Sequence, residues 1–166
     1  MLCTWDWKVP FLTYVRLRLD LSFAVQRCTS LIDIDATFLP VQQMRQVSRI
    51  TALDGPAITG EIDLGRSHWV YSQHFPNDPI FPGTMIIEGA GQLVALWAWA
   101  AGQRGKPRLV KTAAEFHAPV GVAEPLLVIE AMVKRKRHLN FATVTARTAQ
   151  QVVATIEVVL AVVPPA

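Results

Sequence analysis

The stretch that decides the reading is His74-Phe-Pro-Asn-Asp-Pro-Ile-Phe-Pro-Gly-Thr-Met-Ile-Ile-Glu88, followed directly by Gly-Ala-Gly-Gln92. Pro76, Pro79 and Pro82 exclude a helix over its first half and stiffen an ordered loop that begins at His74. Behind the loop, from Met85 to Ala101, the only polar side chains are Glu88 and Gln92. A helix apolar all round either crosses a membrane or is buried in the middle of a domain. Glu88, Gly89, Gly91 and Gln92 make this run too short and too polar to span a bilayer, so a buried central helix is expected. Glu88 and Gln92 are four residues apart and share one face of it.

Working outward, the spacing predicts a helix that starts at Thr84, a favourable N-cap, and ends near Gly102. Upstream, Met44 to Leu53 reads as a strand, Asp54-Gly55-Pro56 as a turn, and Ala57 to Leu64 as its hairpin partner. Trp69 to Tyr71 reads as a short extended piece. Downstream, strands are expected over about 109–117, 126–137, 140–149 and 152–162. Strands surrounding one apolar helix define an α+β class with a sheet wrapped about the helix, not alternating βαβ units.

The whole chain agrees with one domain of ordinary size. It has 166 residues, 51% of them hydrophobic and 17% charged, with a net charge of +3. Residues 1–36 read differently from 37–166. Val15, Leu17, Leu19, Leu21, Phe23 and Val25 alternate with more polar residues there, the period of a half-buried strand, in an extension whose role is open. Cys3 and Cys28 form neither a metal-ligand spacing nor a disulfide framework, and no signal peptide is evident. A cytoplasmic location is the expectation, with no membrane association. No aromatic-basic platform suggests nucleic-acid binding.

His74 and Glu88 carry the chemistry. An imidazole can take up a proton near neutral pH, and a carboxyl group kept from water can hold one long enough to donate it. A base and an acid at an apolar pocket suit the addition or removal of water beside a carbonyl. Gly83, just before the helix, offers a free backbone N–H that favours negative charge on an oxygen nearby, and its lack of a side chain permits close approach. His74 alone would more often be an ordinary loop histidine; it gains weight from the prolines, Gly83 and Glu88 in register. No lysine or arginine on the helix could pair with Glu88. Gln92 fits a role in orienting Glu88.

His-Phe-Pro-x-x-Pro-x-x-Pro-Gly-x-x-x-x-Glu with Gly-Ala-Gly-Gln resembles the β-hydroxyacyl-acyl-carrier-protein dehydratases, enzymes of the hot-dog fold. Glu115-Phe116-His117-Ala118-Pro119-Val120 is similar to the family's later Lys-Phe-x-x-Pro-Val run, with Glu115 in place of the lysine. Glu88, where the dehydratase-isomerase branch carries Asp, resembles the plain dehydratase branch. The resemblance implies a curved antiparallel sheet wrapped around one long apolar helix, over roughly 39–162. It implies conversion of a (3R)-hydroxyacyl thioester on acyl carrier protein to a trans-2-enoyl thioester, without metal or cofactor. It also implies a homodimer in which His74 and Glu88 of one site come from different subunits.

Catalysis is then expected from His74, Glu88 and Gly83. Ile80, Phe81, Pro82, Gln92 and Trp97 are expected to contact substrate, although Trp97 and Trp99 also fit an ordinary core. Two basic groups are rivals for docking the acidic carrier. One is Arg104, Lys106, Arg108 and Lys111; the other is Lys134, Arg135, Lys136 and Arg137, which also fits a solvated hairpin tip. The alternatives are a hot-dog thioesterase and a non-catalytic or partner-dependent subunit.

Overall fold

Eighteen residues, Gly83–Ala100, form the long helix α2, and the rest of the architecture follows from covering its apolar surface. The computed structural model describes residues 38–65 and 69–164; the extension expected over 1–36 lies outside them. Among the described residues, six strands build one antiparallel sheet: β1 (Arg49–Asp54), β2 (Ala57–Asp63), β3 (Lys106–Phe116), β4 (Leu126–Lys136), β5 (Leu139–Arg147) and β6 (Val152–Val163). Their order is β1-β2-β4-β5-β6-β3. The sheet curves around α2, which lies against β2, β3, β4, β5 and β6.

Alternation fixes which strand face meets the helix. Ile58, Gly60 and Ile62 of β2, Leu127, Ile129, Ala131 and Val133 of β4, and Ala142, Val144 and Ala146 of β5 are buried. They enclose Leu93, Val94, Ala95 and Leu96 of α2. Two glycines set how closely the layers approach. A Cβ on Gly60 would lie 2.9 Å from Leu93 Cδ1 and 3.1 Å from the Arg49 carbonyl oxygen. A Cβ on Gly89 would lie 2.6 Å from Ile62 Cδ1.

Four local expectations are corrected. Trp69 to Tyr71 is not extended: Val70–Gln73 is a one-turn helix, α1, with His74 as its C-cap. Val70 and Tyr71 are adjacent and both buried, which a helical turn allows and a strand with alternating faces does not. Helix α2 is capped by Pro82, not Thr84; the Pro82 carbonyl accepts from the Met85 N–H at 3.0 Å and Thr84 is exposed. The strand expected from Met44 begins only at Arg49, after a short 3₁₀ turn, Gln42–Met44. The backbone of residues 44–47 turns to the helix for hydrogen bonds and so does not enter the ladder. Strand β3 begins at Lys106, earlier than expected, across Pro107; an edge strand tolerates proline because its outward side needs no N–H. Among the described residues, no helix is long and apolar enough to cross a membrane.

Because Gly60 meets a backbone carbonyl that cannot swing aside, Gly60→Ala is expected to destabilise the fold by about 1–3 kcal/mol. Urea unfolding followed by circular dichroism checks this; an unchanged midpoint would mean that the helix does not need this close approach.

Candidate active site

Glu88 sits one turn into α2, half-buried, on the face that Gln92 continues. The Gln92 side-chain amide donates to Glu88 Oε1 at 2.9 Å and to the Met44 carbonyl at 2.6 Å. Its own oxygen accepts from the backbone N–H groups of Gln46 at 2.8 Å and Val47 at 3.2 Å. Gln92 was expected to contact substrate. Two donated and two accepted bonds use all the hydrogen-bonding capacity of a primary amide, while Gln92 also lines the cavity onto which Glu88 opens. The anchoring backbone of residues 44–47 was not singled out from the sequence, because main-chain donors leave no residue-type signature.

Glu88 opens onto a cavity of about 420 Å³ whose apolar lining includes Phe38, Leu39, Ile87, Leu109 and Leu160, with Arg108 the other charged residue around it. An apolar pocket with one oriented carboxyl is a suitable receptacle for an acyl chain beside a reacting group.

His74 lies elsewhere in the chain. It ends α1, its backbone N–H donating to the Val70 carbonyl at 2.8 Å, and its exposed ring packs on Phe75 with centroids 4.0 Å apart. Beneath it, Tyr71 is buried and tilted against Phe81. Burial first, and the Glu124 carboxylate second, hold the Tyr71 phenol above its usual range, so it remains neutral and supports the loop as a scaffold. The cavity beside the histidine loop is formed by Phe75, Pro76, Asn77, Asp78 and Ile80. Neither His74 nor Glu88 lines this cavity, and His74 does not line the one at Glu88.

Gly83 occupies the first turn of α2, where N–H groups have no partner within the helix. The close approach expected there is made by Phe116, at the end of β3: a Cβ on Gly83 would fall 2.5 Å from Phe116 Cζ. Ile80, Phe81, Gly83 and Phe116 line a third cavity of about 450 Å³, which also reaches His117 and Pro119. Ile80 bridges to Gly121, and Phe81 donates its N–H to the Val120 carbonyl at 2.7 Å, so the loop is tied to the segment after β3. Phe81 is only 3% exposed and belongs largely to the core, as does the buried Pro82. The importance of Phe116 was signalled only by its place in Glu115-Phe116-His117.

Trp97 does not line the Glu88 cavity. Its indole N–H donates to the Gly55 carbonyl at 2.9 Å, fastening the β1–β2 turn to the far end of the helix. Trp99 stacks on Phe38 with centroids 4.7 Å apart. Arg104 lies 3.9 Å over the Trp99 ring and donates to the Trp99 carbonyl, so it caps the helix end. The other basic residues, expected as two rival groups, are brought onto the same sheet. Arg108 pairs through Ala161 and Leu139 to Lys136, and Lys111 through Val159 and Phe141 to Lys134. Residues opposite one another in antiparallel strands share a face, so these form two rows with a cation at each end and apolar residues between. Among the described residues, no group of three or more His, Cys, Asp or Glu side chains is placed to hold a metal ion.

This arrangement can be set beside known proteins. The FabA-like domain matches residues 39–157, 119 of the 166, and the chain belongs to that family. Its structure is similar to the dehydratase heterocomplex ApeI:P from Xenorhabdus doucetiae, with a TM-score of 0.62 at 15% identity, covering 76% of this chain and 88% of that one. It is also similar to a thioesterase from Haemophilus influenzae, with a TM-score of 0.56 at 15% identity over 70% of this chain and 78% of that one. A mutant thioesterase from Pseudomonas aeruginosa gives 0.57 at 14% identity over 70% and 81%. These likenesses establish the hot-dog fold, which hosts both activities.

The Gly83–Phe116 contact predicts a specific rescue. Gly83→Ala is expected to lower the melting temperature through overpacking, and Phe116→Ala in the same chain to restore part of it. Differential scanning fluorimetry of the two single variants and the double variant checks this; additive losses would mean that the ring does not set the requirement for glycine.

Proposed function

We propose that this chain is a hydro-lyase acting on (3R)-hydroxyacyl thioesters carried by acyl carrier protein, in cytoplasmic fatty-acid or polyketide-type lipid synthesis. The observation that carries the reading is Glu88, oriented by Gln92 at the mouth of an apolar cavity within a FabA-like domain. His74 takes the C2 proton, Glu88 donates a proton to the C3 hydroxyl, which leaves as water, and a double bond forms between C2 and C3. The Gly83 N–H supports the negative charge that builds on the thioester oxygen. The reaction needs no metal or cofactor.

In this reading the working site forms between two copies. Edge strand β3 exposes Leu109, Val110 and Phe116 to 51%, 58% and 51%, and an exposed apolar edge invites a further strand. Pairing of β3 with its copy would bring the His74 loop of one chain to the Glu88 cavity of the other. The cations that end the two rows on the sheet, with Lys106 at the start of β3, would attract an acidic carrier protein. Arg135 and Arg137 lie at the same hairpin end as these rows.

Two other readings have specific support. The thioesterases among the structural relatives support thioester hydrolysis, and the heterocomplex relative supports dependence on a second, related chain.

Consumption of a trans-2-enoyl thioester on acyl carrier protein, followed by its absorbance, tests the proposal. Wild type is expected to hydrate it, and His74→Ala and Glu88→Gln each to lose about 10²–10⁴-fold. Release of free thiol in place of hydration would favour the thioesterase. Inertness alone, with activity on adding a related chain, would favour the partner-dependent subunit. Val110→Lys on the exposed edge is expected to yield monomers by analytical ultracentrifugation and to abolish turnover; active monomers would refute the shared site.

A further inference from the structure

The nitrogen and oxygen of a glutamine amide are usually hard to tell apart, but the surroundings of Gln92 leave one choice. On one side stand two backbone N–H donors, from Gln46 and Val47, and they require an oxygen. On another stands the Met44 carbonyl, which requires an N–H. The group facing Glu88 is therefore the NH₂, and the carboxyl oxygen it meets, Oε1, must accept. Gln92 is 3% exposed, so water does not compete for these bonds. The segment it grips is tied in turn to the sheet: Ser48 donates its N–H to the Glu61 carbonyl at 2.7 Å, and the Asp63 N–H donates to Ser48 Oγ at 2.9 Å.

We infer that Gln92 is a positioning residue that confines the transferable proton of Glu88 to Oε2. An oxygen already accepting a hydrogen bond from Gln92 is the poorer site for the proton, and among the described residues no other polar side chain hydrogen-bonds Glu88. The inference rests on the dehydratase reading and deepens it by naming the working atom. In the forward step the Oε2–H bond breaks as the C3–O bond breaks, the hydroxyl leaves as water, and His74 holds the proton removed from C2. Glu88 is left as a carboxylate, with Oε1 still held by Gln92. Both proton carriers then exchange with solvent before the next turnover. Because three of the four Gln92 bonds go to backbone, the carboxyl is referenced to the sheet as well as to its own helix. A misplacement of about 1 Å is enough to cost on the order of 10²-fold in rate.

The effect should pass through Glu88 alone, which a double-mutant cycle can read. Gln92→Ala is expected to lower kcat on the order of 10²-fold with KM changed less than about threefold. In the Glu88→Gln background, where no proton can be donated from this position, Gln92→Ala is expected to cost nothing further. An equal penalty in both backgrounds would overturn the inference and leave Gln92 a purely structural residue. A second measurement needs no activity and keeps Gln92 intact. In ¹⁵N-labelled protein, Glu88→Ala is expected to move one of the two Gln92 side-chain amide protons and to leave the proton held by the Met44 carbonyl in place. Movement of neither proton would overturn the inference. A silent wild-type enzyme with the expected amide pattern would instead refute the dehydratase reading and leave the hydrogen-bond assignment standing.

Discussion

Everything in this fold answers to one constraint: a helix apolar on every side must be enclosed, yet it carries two polar side chains that burial would penalise. Burying an amide without partners costs roughly 1–3 kcal/mol by mutational measures. The chain meets that cost by diverting residues 44–47 from the sheet ladder to Gln92. Gln92 can then hold Glu88. The strand that might have begun at Met44 is thereby shortened to Arg49–Asp54, and a carboxyl is left oriented at the edge of an apolar cavity. The irregularity before β1 and the candidate acid are two ends of the same set of hydrogen bonds.

Much of this was legible from residue order. The central helix, the β1–β2 hairpin about Gly55 and the last three strands follow from periodicity and turn chemistry, and apart from the late start of β1 their ends differ from expectation by a residue or two. The misreadings have local causes. Trp69-Val70-Tyr71 has strand-forming side chains, but burial of adjacent residues selects a helical turn. Trp97 looked suited to an acyl pocket, yet its indole N–H needed an acceptor and found the Gly55 carbonyl. Arg104, read as a docking candidate, stacks on the Trp99 ring and donates to the helix C-terminus while staying exposed. In each case the tertiary partner, invisible in the local sequence, decided the outcome. His74, Glu88 and Gly83 were readable as candidates because proline and glycine punctuate the motif. That Phe116 covers Gly83 was not, since thirty-three residues separate them in the chain.

In the proposed reading, the separation of His74 from the Glu88 cavity ties the chemistry to assembly. In one chain the imidazole is exposed on a proline-braced loop while the carboxyl faces a cavity elsewhere on the helix. At the same time, among the described residues, β3 forms an exposed apolar edge of the sheet. A single antiparallel pairing across that edge would cover the apolar strand and, by two-fold symmetry, create two equivalent sites at once. Stability of the pair and completion of the site would then have the same origin.

The most direct measurement is complementation between two inactive chains. His74→Ala and Glu88→Gln variants, each inert alone, would be refolded together and assayed for enoyl-thioester hydration. If each site takes its histidine from one chain and its glutamate from the other, mixed pairs contain one intact site, and random pairing restores about a quarter of wild-type turnover. If both residues of a site belonged to the same chain, every site in the mixture would be defective, and the absence of any recovery in verified mixed dimers would contradict the account.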